Sequence, residues 1–186
     1  MTLETRNITT QIDTTNDDSR TITGYAVKWN KNSHVMGTRK RFSEQFLRGA
    51  FFDSIQNDDQ KALFSHDVSK VLGSTKNNTL RLSEDETGLR FEVDLPNTTL
   101  GNDTYESIKR GDIDGVSFGF QMISQSWNES DPNNVIRMIS KAKLIEISPV
   151  AFPAYPDSEV SARSVDAFKD YEKQQQRKKL LLKTFL

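Results

Sequence analysis

Short segments of alternating hydrophobicity, separated by turn residues, dominate the middle of this 186-residue chain. Between residues 61 and 96 they read "KALFSHD", "KVLGS", "TLRLSED" and "GLRFEVDLP", with "NN" and "ETG" as turn residues between the later ones. The segments "RTITGYAVKWN", "GVSFGFQMIS" and "VIRMISKAKLIEISPVAF" have the same character. Alternation with a period of two, rich in β-branched and aromatic residues, is typical of half-buried strands. The pattern predicts a mainly β domain whose central part is a meander of antiparallel strands.

Helical patterns are fewer and lie between or after these strands. The segment "TLGNDTYESIKRGD" predicts a helix with Thr99 as its cap, Tyr105 and Ile108 on one face, and Gly111 as its stop. The segment "FSEQFLRGAFFDSIQ" predicts short helical turns interrupted at Gly49. We therefore expect an α+β chain in which helices flank a larger β body.

Chain length and local composition predict one folded domain with two extensions. We expect residues 1–19 to be a flexible N-terminal segment and residues 20–158 to form the β domain. Residues 159–186 contain no Gly or Pro, and their seven basic and four acidic residues give a local charge of +3. This composition predicts a charged helical tail, which could dock on a partner or be removed by autolysis.

Composition removes several classes of function from consideration. The chain has 25 basic and 26 acidic residues and 0 cysteines, which excludes cysteine catalysis and disulfides and gives no general case for binding nucleic acid. The N-terminus lacks a secretory pattern, and no apolar run approaches the roughly 20 residues of a membrane helix. The chain has 2 histidines without metal-ligand spacing, and it has no glycine-rich phosphate loop. We expect no membrane association and no metal or other cofactor.

One of the histidines, His66, lies in the apolar segment "ALFSHDV" and is followed by Asp67. If this segment is a strand, His66 shares a face with Phe64 and Val68, while Asp67 points to the opposite face. Asp67 would then be badly placed to orient the imidazole. Any catalytic partner of His66 must come from another strand. The second histidine, His34, lies in a polar loop and is expected to be solvated.

Two other strands carry polar residues where packing alone does not require them. In "GVSFGF", Ser117 and Gly119 lie on the face opposite three apolar side chains, and the small glycine leaves room for close approach of a peptide. In "KLIEISPV", alternation places Leu144, Glu146 and Ser148 on one face. A buried carboxylate such as Glu146 costs several kcal/mol unless it is paired or hydrogen-bonded.

Ser117, His66 and Glu146 could form a nucleophile, base and orienting acid. Spacing alone supports this weakly, and the structural alternatives stay open. His66 could be an ordinary strand residue, Ser117 could be a small packing residue, and Glu146 could pair with Lys141 or Lys143 across a hairpin.

Several ordered blocks of the sequence resemble the prohead (capsid maturation) serine protease family of tailed bacteriophages, which is related to the herpesvirus assemblins. The matching blocks are "FSEQFLRGAFFDSI", "FSHDVSKVLGS", "ETGLRFEVDLPNT", "IKRGDIDGVSFGF" and "LIEISPVAFPAYPDS". The resemblance covers roughly residues 20–160. Arg48 departs from the family pattern, which usually has proline before Gly-Ala-Phe.

The resemblance implies a fold and a function. The expected fold is a small closed antiparallel β-barrel flanked by helices. His66 is implied as the general base and Ser117 as the nucleophile. Glu146 stands where the herpesvirus relatives have a second histidine, so an acidic third member is implied.

The implied activity is cleavage of the scaffolding segment of the major capsid protein precursor, and of the chain itself, by an acyl-enzyme mechanism. It would take place inside the immature capsid in the host cytoplasm. A homodimer is plausible from the same relatives. The main alternative is a catalytically silent capsid scaffold with the same fold, and a nucleic-acid-binding barrel is a more distant one.

Overall fold

The structure, a computed structural model, describes residues 3–9, 12–14, 19–37 and 41–151. Short strands lead into the two longest elements, which form a hairpin. The strands are β1 Leu3–Thr9, β2 Ile12–Thr14, β3 Thr21–Lys28, β4 Phe42–Phe46, β5 Lys61–Phe64, β6 Asp67–Ser74, β7 Leu80–Glu84, β8 Gly88–Asp94, β9 Gly115–Asn128 and β10 Val135–Val150, and the helices are α1 Phe52–Asn57 and α2 Thr99–Lys109. Neither of these two helices is long and apolar enough to cross a membrane.

The strands form two sheets around one hydrophobic core. The larger sheet has the order β1-β9-β10-β5-β6, with β4 also paired to β10, and the smaller has the order β2-β3-β8-β7. Both sheets contribute to the core; its fully buried members include Phe118, Phe120, Leu144, Leu89 and Ile22. The alternating apolar residues of β9 thus face the smaller sheet, and the opposite face of β9 is left for polar residues.

The predicted mainly β class is confirmed, but the closed antiparallel barrel is wrong. Closure requires the edge strands to pair with one another, and among the described residues no ladder joins the two sheets. The pairing is also mixed, because β10 runs parallel to both β4 and β5. The closed barrel was implied by the family resemblance, and the strand periodicity of the sequence carries no information on which strands pair. The predicted helical tail at 159–186 lies outside the described residues.

The region predicted as helical turns divides into a strand and a helix. Phe42 and Phe46 are buried and lie on β4 with Glu44, at a spacing of two residues, and β4 pairs with β10. A turn at residues 48–51 then leads into α1. The prediction was wrong for β4 because phenylalanines four residues apart fit a helix face as well as alternate positions of a strand.

The second helix lies close to its predicted position. The cap is Thr98 rather than Thr99, and its hydroxyl oxygen accepts a hydrogen bond from the Gly101 amide at 3.2 Å. Gly111 has a φ of +81° just beyond the helix end, a conformation that favours glycine. The stop signal was therefore predicted correctly.

A buried cluster of four charged side chains joins three strands of the larger sheet. Arg6 of β1 contacts Glu44 of β4 at 2.6 Å, and Arg137 of β10 contacts both Glu4 of β1 and Glu44 at 2.7 Å. Arg6 also contacts Glu4 at 2.6 Å. Although burial alone would raise the pKa of Glu4, the hydrogen bond from Arg137 and the charges of both arginines hold that pKa below its usual range. The cluster fixes β1 to the body of the sheet.

Strand β1 lies within residues 1–19, which the sequence predicts to be a flexible N-terminal segment. It pairs with β9 over its whole length of 7 residues, and this places Asn7 opposite Ser117. Residues 1–19 therefore contribute an edge strand beside the candidate nucleophile.

Candidate active site

His66 lies in the tight turn between β5 and β6 and not within a strand. Phe64 and Asp67 are paired across this turn, and the two residues between them, Ser65 and His66, have φ values of +50° and +62°. Two successive left-handed residues are the signature of a type I′ hairpin turn. The expected face-sharing of His66 with Phe64 and Val68 is therefore wrong. The turn was missed because it contains no glycine or asparagine.

Asp67 contacts Ser69 of its own strand β6 and not the imidazole. Its Oδ1 accepts hydrogen bonds from the Ser69 hydroxyl at 2.6 Å and the Ser69 amide at 2.9 Å. These bonds hold the pKa of Asp67 below its ordinary value. The adjacent His-Asp pair thus has no catalytic geometry.

The imidazole of His66 contacts the carboxylate of Glu146. The distance from His66 Nδ1 to Glu146 Oε1 is 2.7 Å. The His66 side chain is 31% exposed and that of Glu146 is 8% exposed, so the ring is open to solvent while its partner is buried. A contact at Nδ1 leaves Nε2 as the ring atom able to exchange a proton with another group.

A β-bulge in β10 determines which residues accompany Glu146. The register moves from Leu144 opposite Phe120 to Glu146 opposite Gly119, so Ile145 has no partner of its own. Leu144 consequently packs in the core, and the prediction that it shares a face with Glu146 was wrong. Beyond the bulge the alternation is regular.

The structural alternative for Glu146, an ion pair with Lys141 or Lys143 of the hairpin, is not observed in the structure. Lys141 contacts Asp53 at 2.5 Å and Lys143 contacts Asp58 at 2.8 Å. The Glu146 carboxylate instead contacts the His66 imidazole through Oε1 and accepts a hydrogen bond from Ser148 Oγ at Oε2, at 2.6 Å.

Gly119 provides the space that the Glu146 carboxylate occupies. A Cβ atom added to Gly119 would lie 2.6 Å from Glu146 Oε1, closer than any real side chain would tolerate. The sequence indicated that Gly119 leaves room for a peptide to approach, whereas in the structure the Glu146 carboxylate occupies that space.

Ser117 lies on the same face of the hairpin but points toward the other neighbouring strand. It is opposite Ser148 in the ladder of β9 and β10 and is fully buried. Its hydroxyl donates to the backbone carbonyl of Arg6 in β1 at 3.0 Å. The structure thus brings His66 and Glu146 together, and it leaves the Ser117 hydroxyl bonded to β1 and not to the imidazole.

Comparison with known families connects this geometry to a class of proteins. A family model described as caudovirus prohead serine protease matches residues 6–171, most of the chain. The chain belongs to the caudovirus prohead serine protease family. The resemblance inferred from the ordered sequence blocks is confirmed. No curated protein and no solved structure matched the chain.

Membership in this family supports a peptidase that works with capsid precursor proteins within the procapsid. The matched region includes both hairpins of the site, β5–β6 and β9–β10, together with part of β1.

Sequence reasoning did not assign a role to Ser148 or to the buried charges of β1, β4 and β10. A charged residue inside an apolar segment, as in "VIRMI", was the available signal for the charge cluster.

Proposed function

We propose that this chain is the endopeptidase that cuts the scaffolding segment of the major capsid protein precursor inside the immature capsid. Ser117 is the nucleophile, His66 the general base and Glu146 the residue that orients the imidazole. The observation that carries the proposal is the 2.7 Å contact between His66 Nδ1 and Glu146 Oε1, because it selects the tautomer whose Nε2 can accept a proton.

The chemistry is acyl transfer. Ser117 Oγ attacks the carbonyl carbon of the scissile peptide while His66 Nε2 takes the hydroxyl proton, and the Glu146 carboxylate stabilises the imidazolium that forms. His66 then gives the proton to the departing amine, which leaves an ester on Ser117. Water, deprotonated by the same imidazole, hydrolyses the ester and restores the hydroxyl. The reaction uses only groups of the chain, the peptide and water.

This role requires the Ser117 hydroxyl to exchange its partner. Strand β9 lies between β1 and β10, and the hydroxyl now bonds the Arg6 carbonyl on the β1 side. Rotation about χ1 to another staggered position directs the oxygen away from that carbonyl, toward the strand that carries Glu146 and Ser148. The described form is then a resting state, and substrate binding or assembly favours the reactive rotamer.

The remaining elements of the proposal rest on family membership and composition. The enzyme also cuts itself, and residues 159–186, with their charge of +3, dock on the capsid or scaffold or are trimmed after assembly. A homodimer is the associated oligomeric state. The domain division at residues 19 and 158 stays a prediction.

A second candidate function is a catalytically silent capsid scaffold. The observation that favours it is the complete burial of Ser117 together with its bond to the Arg6 carbonyl. In this alternative the family fold is retained for assembly alone.

Labelling with a serine-directed fluorophosphonate separates the two candidates. The purified full-length chain should gain the mass of one adduct on Ser117, and Ser117→Ala should not. Ser126→Ala is the matched control, because Ser126 is an exposed serine on the same strand. Coexpression with the capsid precursor should yield a shortened precursor only when Ser117 is present. Labelling and cleavage by Ser117→Ala would overturn the assignment, and their absence in the wild-type chain within particles would favour the scaffold.

A further inference from the structure

We infer that Ser148 is a positioning residue of the active site, which holds both the orienting carboxylate and the turn that carries the base. This inference rests on the proposed function, since it assigns Ser148 a role through His66 and Glu146. Ser148 is fully buried on β10, two residues beyond Glu146 and opposite Ser117.

The first contact of Ser148 fixes the rotation of the Glu146 carboxylate. Glu146 Oε2 accepts the Ser148 hydroxyl at 2.6 Å, while Oε1 lies 2.7 Å from His66 Nδ1. The terminal torsion of a glutamate is broad and roughly two-fold, so a carboxylate held at one oxygen alone can turn about its axis. Bonds at both oxygens leave it a single orientation.

The second contact of Ser148 fixes the backbone of the turn. The amide of His66 donates to Ser148 Oγ at 3.1 Å, and the amide of Ser65 donates to the Pro149 carbonyl at 3.3 Å. A hydroxyl has one proton and two acceptor sites. Its proton goes to Glu146, since an ionised carboxylate only accepts, and a lone pair remains for the His66 amide.

His66 is therefore held at two points by adjacent side chains of one face of β10. Glu146 holds the ring and Ser148 holds the main chain, and Ser148 also holds Glu146. On the β9 side, the absence of a side chain at Gly119 provides the space that Glu146 Oε1 occupies. Removing the Ser148 hydroxyl would loosen the imidazole through the main chain of His66 and through the Glu146 carboxylate, without removing any group that reacts.

A purely structural serine would show a different signature, and the chain contains a matched one. Ser54 is also buried, donates to the carboxylate of Asp58 at 3.0 Å and accepts the Leu144 amide of β10 at 2.9 Å, but contacts neither His66 nor Glu146. Ser148→Ala and Ser54→Ala thus each remove one hydrogen bond to a carboxylate and one from a backbone amide, and only Ser148→Ala removes bonds to His66 and Glu146.

The experiment measures full-length wild-type chain, Ser148→Ala, Ser148→Thr and Ser54→Ala by three methods. Proton NMR follows the downfield imidazole N–H signal of a histidine bonded to a carboxylate; the only other histidine, His34, is exposed. Fluorophosphonate labelling gives the rate at Ser117, and cleavage of the capsid precursor gives kcat and KM. Urea unfolding reports stability separately.

For Ser148→Ala we expect the downfield signal to broaden or disappear. Its labelling rate and kcat should fall about 10- to 100-fold with little change in KM, as expected when a hydrogen bond to a charged group is lost. Ser148→Thr, which keeps the hydroxyl, should recover part of the NMR signal and part of the labelling rate and kcat. Ser54→Ala should keep the signal and kcat although it loses stability.

Two results would overturn the inference. One is a Ser148→Ala chain that is folded and keeps both the NMR signal and the wild-type kcat. The other is an adduct that maps to Ser148 and not to Ser117, because Ser148 would then be the nucleophile. If the wild-type chain neither labels nor cleaves, that result contradicts the proposed protease function and not the role of Ser148. The NMR comparison still tests the role of Ser148 in that case.

Discussion

Ser117 and Ser148 lie directly opposite each other on the antiparallel strands β9 and β10, and both side chains are completely buried. The Ser117 hydroxyl donates to the Arg6 carbonyl of β1, and the Ser148 hydroxyl donates to the Glu146 carboxylate of β10. Residues paired in this way have Cβ atoms roughly 5 Å apart. The candidate nucleophile and the serine that donates a hydrogen bond to Glu146 therefore form one cross-strand pair.

Replacing Ser117 by alanine should abolish labelling and precursor cleavage while the fold is retained. The change removes the attacking oxygen and one hydrogen bond to the Arg6 carbonyl, so the free energy of unfolding should fall by about 0.5–1.5 kcal/mol. Cleavage assays and urea unfolding measure the two effects. Cleavage at more than the background rate would contradict the prediction.

Replacing Glu146 by glutamine should reduce the rate less than the loss of Ser117 does. The amide keeps the size of the side chain but removes the charge that stabilises the imidazolium, and we expect a decrease of about 10²- to 10⁴-fold in kcat. Labelling at Ser117 should remain measurable over long incubation. A rate equal to that of the wild-type chain would show that the contact with His66 is only structural.

Replacing Gly119 by alanine should inactivate the site at modest cost to the fold. The new Cβ would lie 2.6 Å from Glu146 Oε1 and would displace the carboxylate from His66. Gly111→Ala is the control, because that position has open space around it but a φ of +81°. The control should lose about 1 kcal/mol of stability through backbone strain and keep full activity. Equal activity of the two variants would count against the role of Gly119.

Replacing Arg137 by methionine should strongly destabilise the chain. Arg137 is completely buried and contacts both Glu4 and Glu44, so its loss leaves buried carboxylates with too little positive charge. We expect the free energy of unfolding to fall by about 3–5 kcal/mol. Arg81→Met is a matched control, since Arg81 pairs with Asp94 in a site that is partly exposed and should contribute about 0–1 kcal/mol. Similar losses for the two variants would contradict the prediction.

The same cluster should contribute to acid sensitivity. Because the folded state holds the pKa of Glu4 below its unfolded value, its stabilisation is present above about pH 4 and is lost as the pH falls through the lower folded pKa. Glu4→Gln should therefore flatten the acid side of the stability profile measured by urea unfolding. Glu86→Gln, at an exposed turn, should leave that profile unchanged.

Local patterns predicted the parts of the site that depend on strand alternation alone. The apolar face of Val116, Phe118 and Phe120 and the opposite position of Ser117 follow from a period of two, and the structure has both. The bulge at Ile145 interrupts that period in β10 and moves Leu144 into the core. No local sequence signal marks the bulge, because it depends on pairing with β9.

Other parts depended on contacts between distant segments. The pairing of β4 with β10 and the closing bonds of the charge cluster join residues far apart in sequence, and hydrophobic periodicity does not encode such partners. The resemblance to the family indicated which histidine, serine and acid to consider. The tertiary structure was needed to show that Ser148 contacts both His66 and Glu146.

The left-handed conformation of the Ser65–His66 turn determines how the imidazole of His66, the proposed base, can be removed experimentally. Alanine at position 66 would keep a φ of +62° only at the cost of strain, so its effect would mix loss of the imidazole with distortion of the hairpin. Asparagine enters this conformation more readily than most residues and keeps a backbone amide for Ser148. His66→Asn is therefore the substitution that isolates the contribution of the ring.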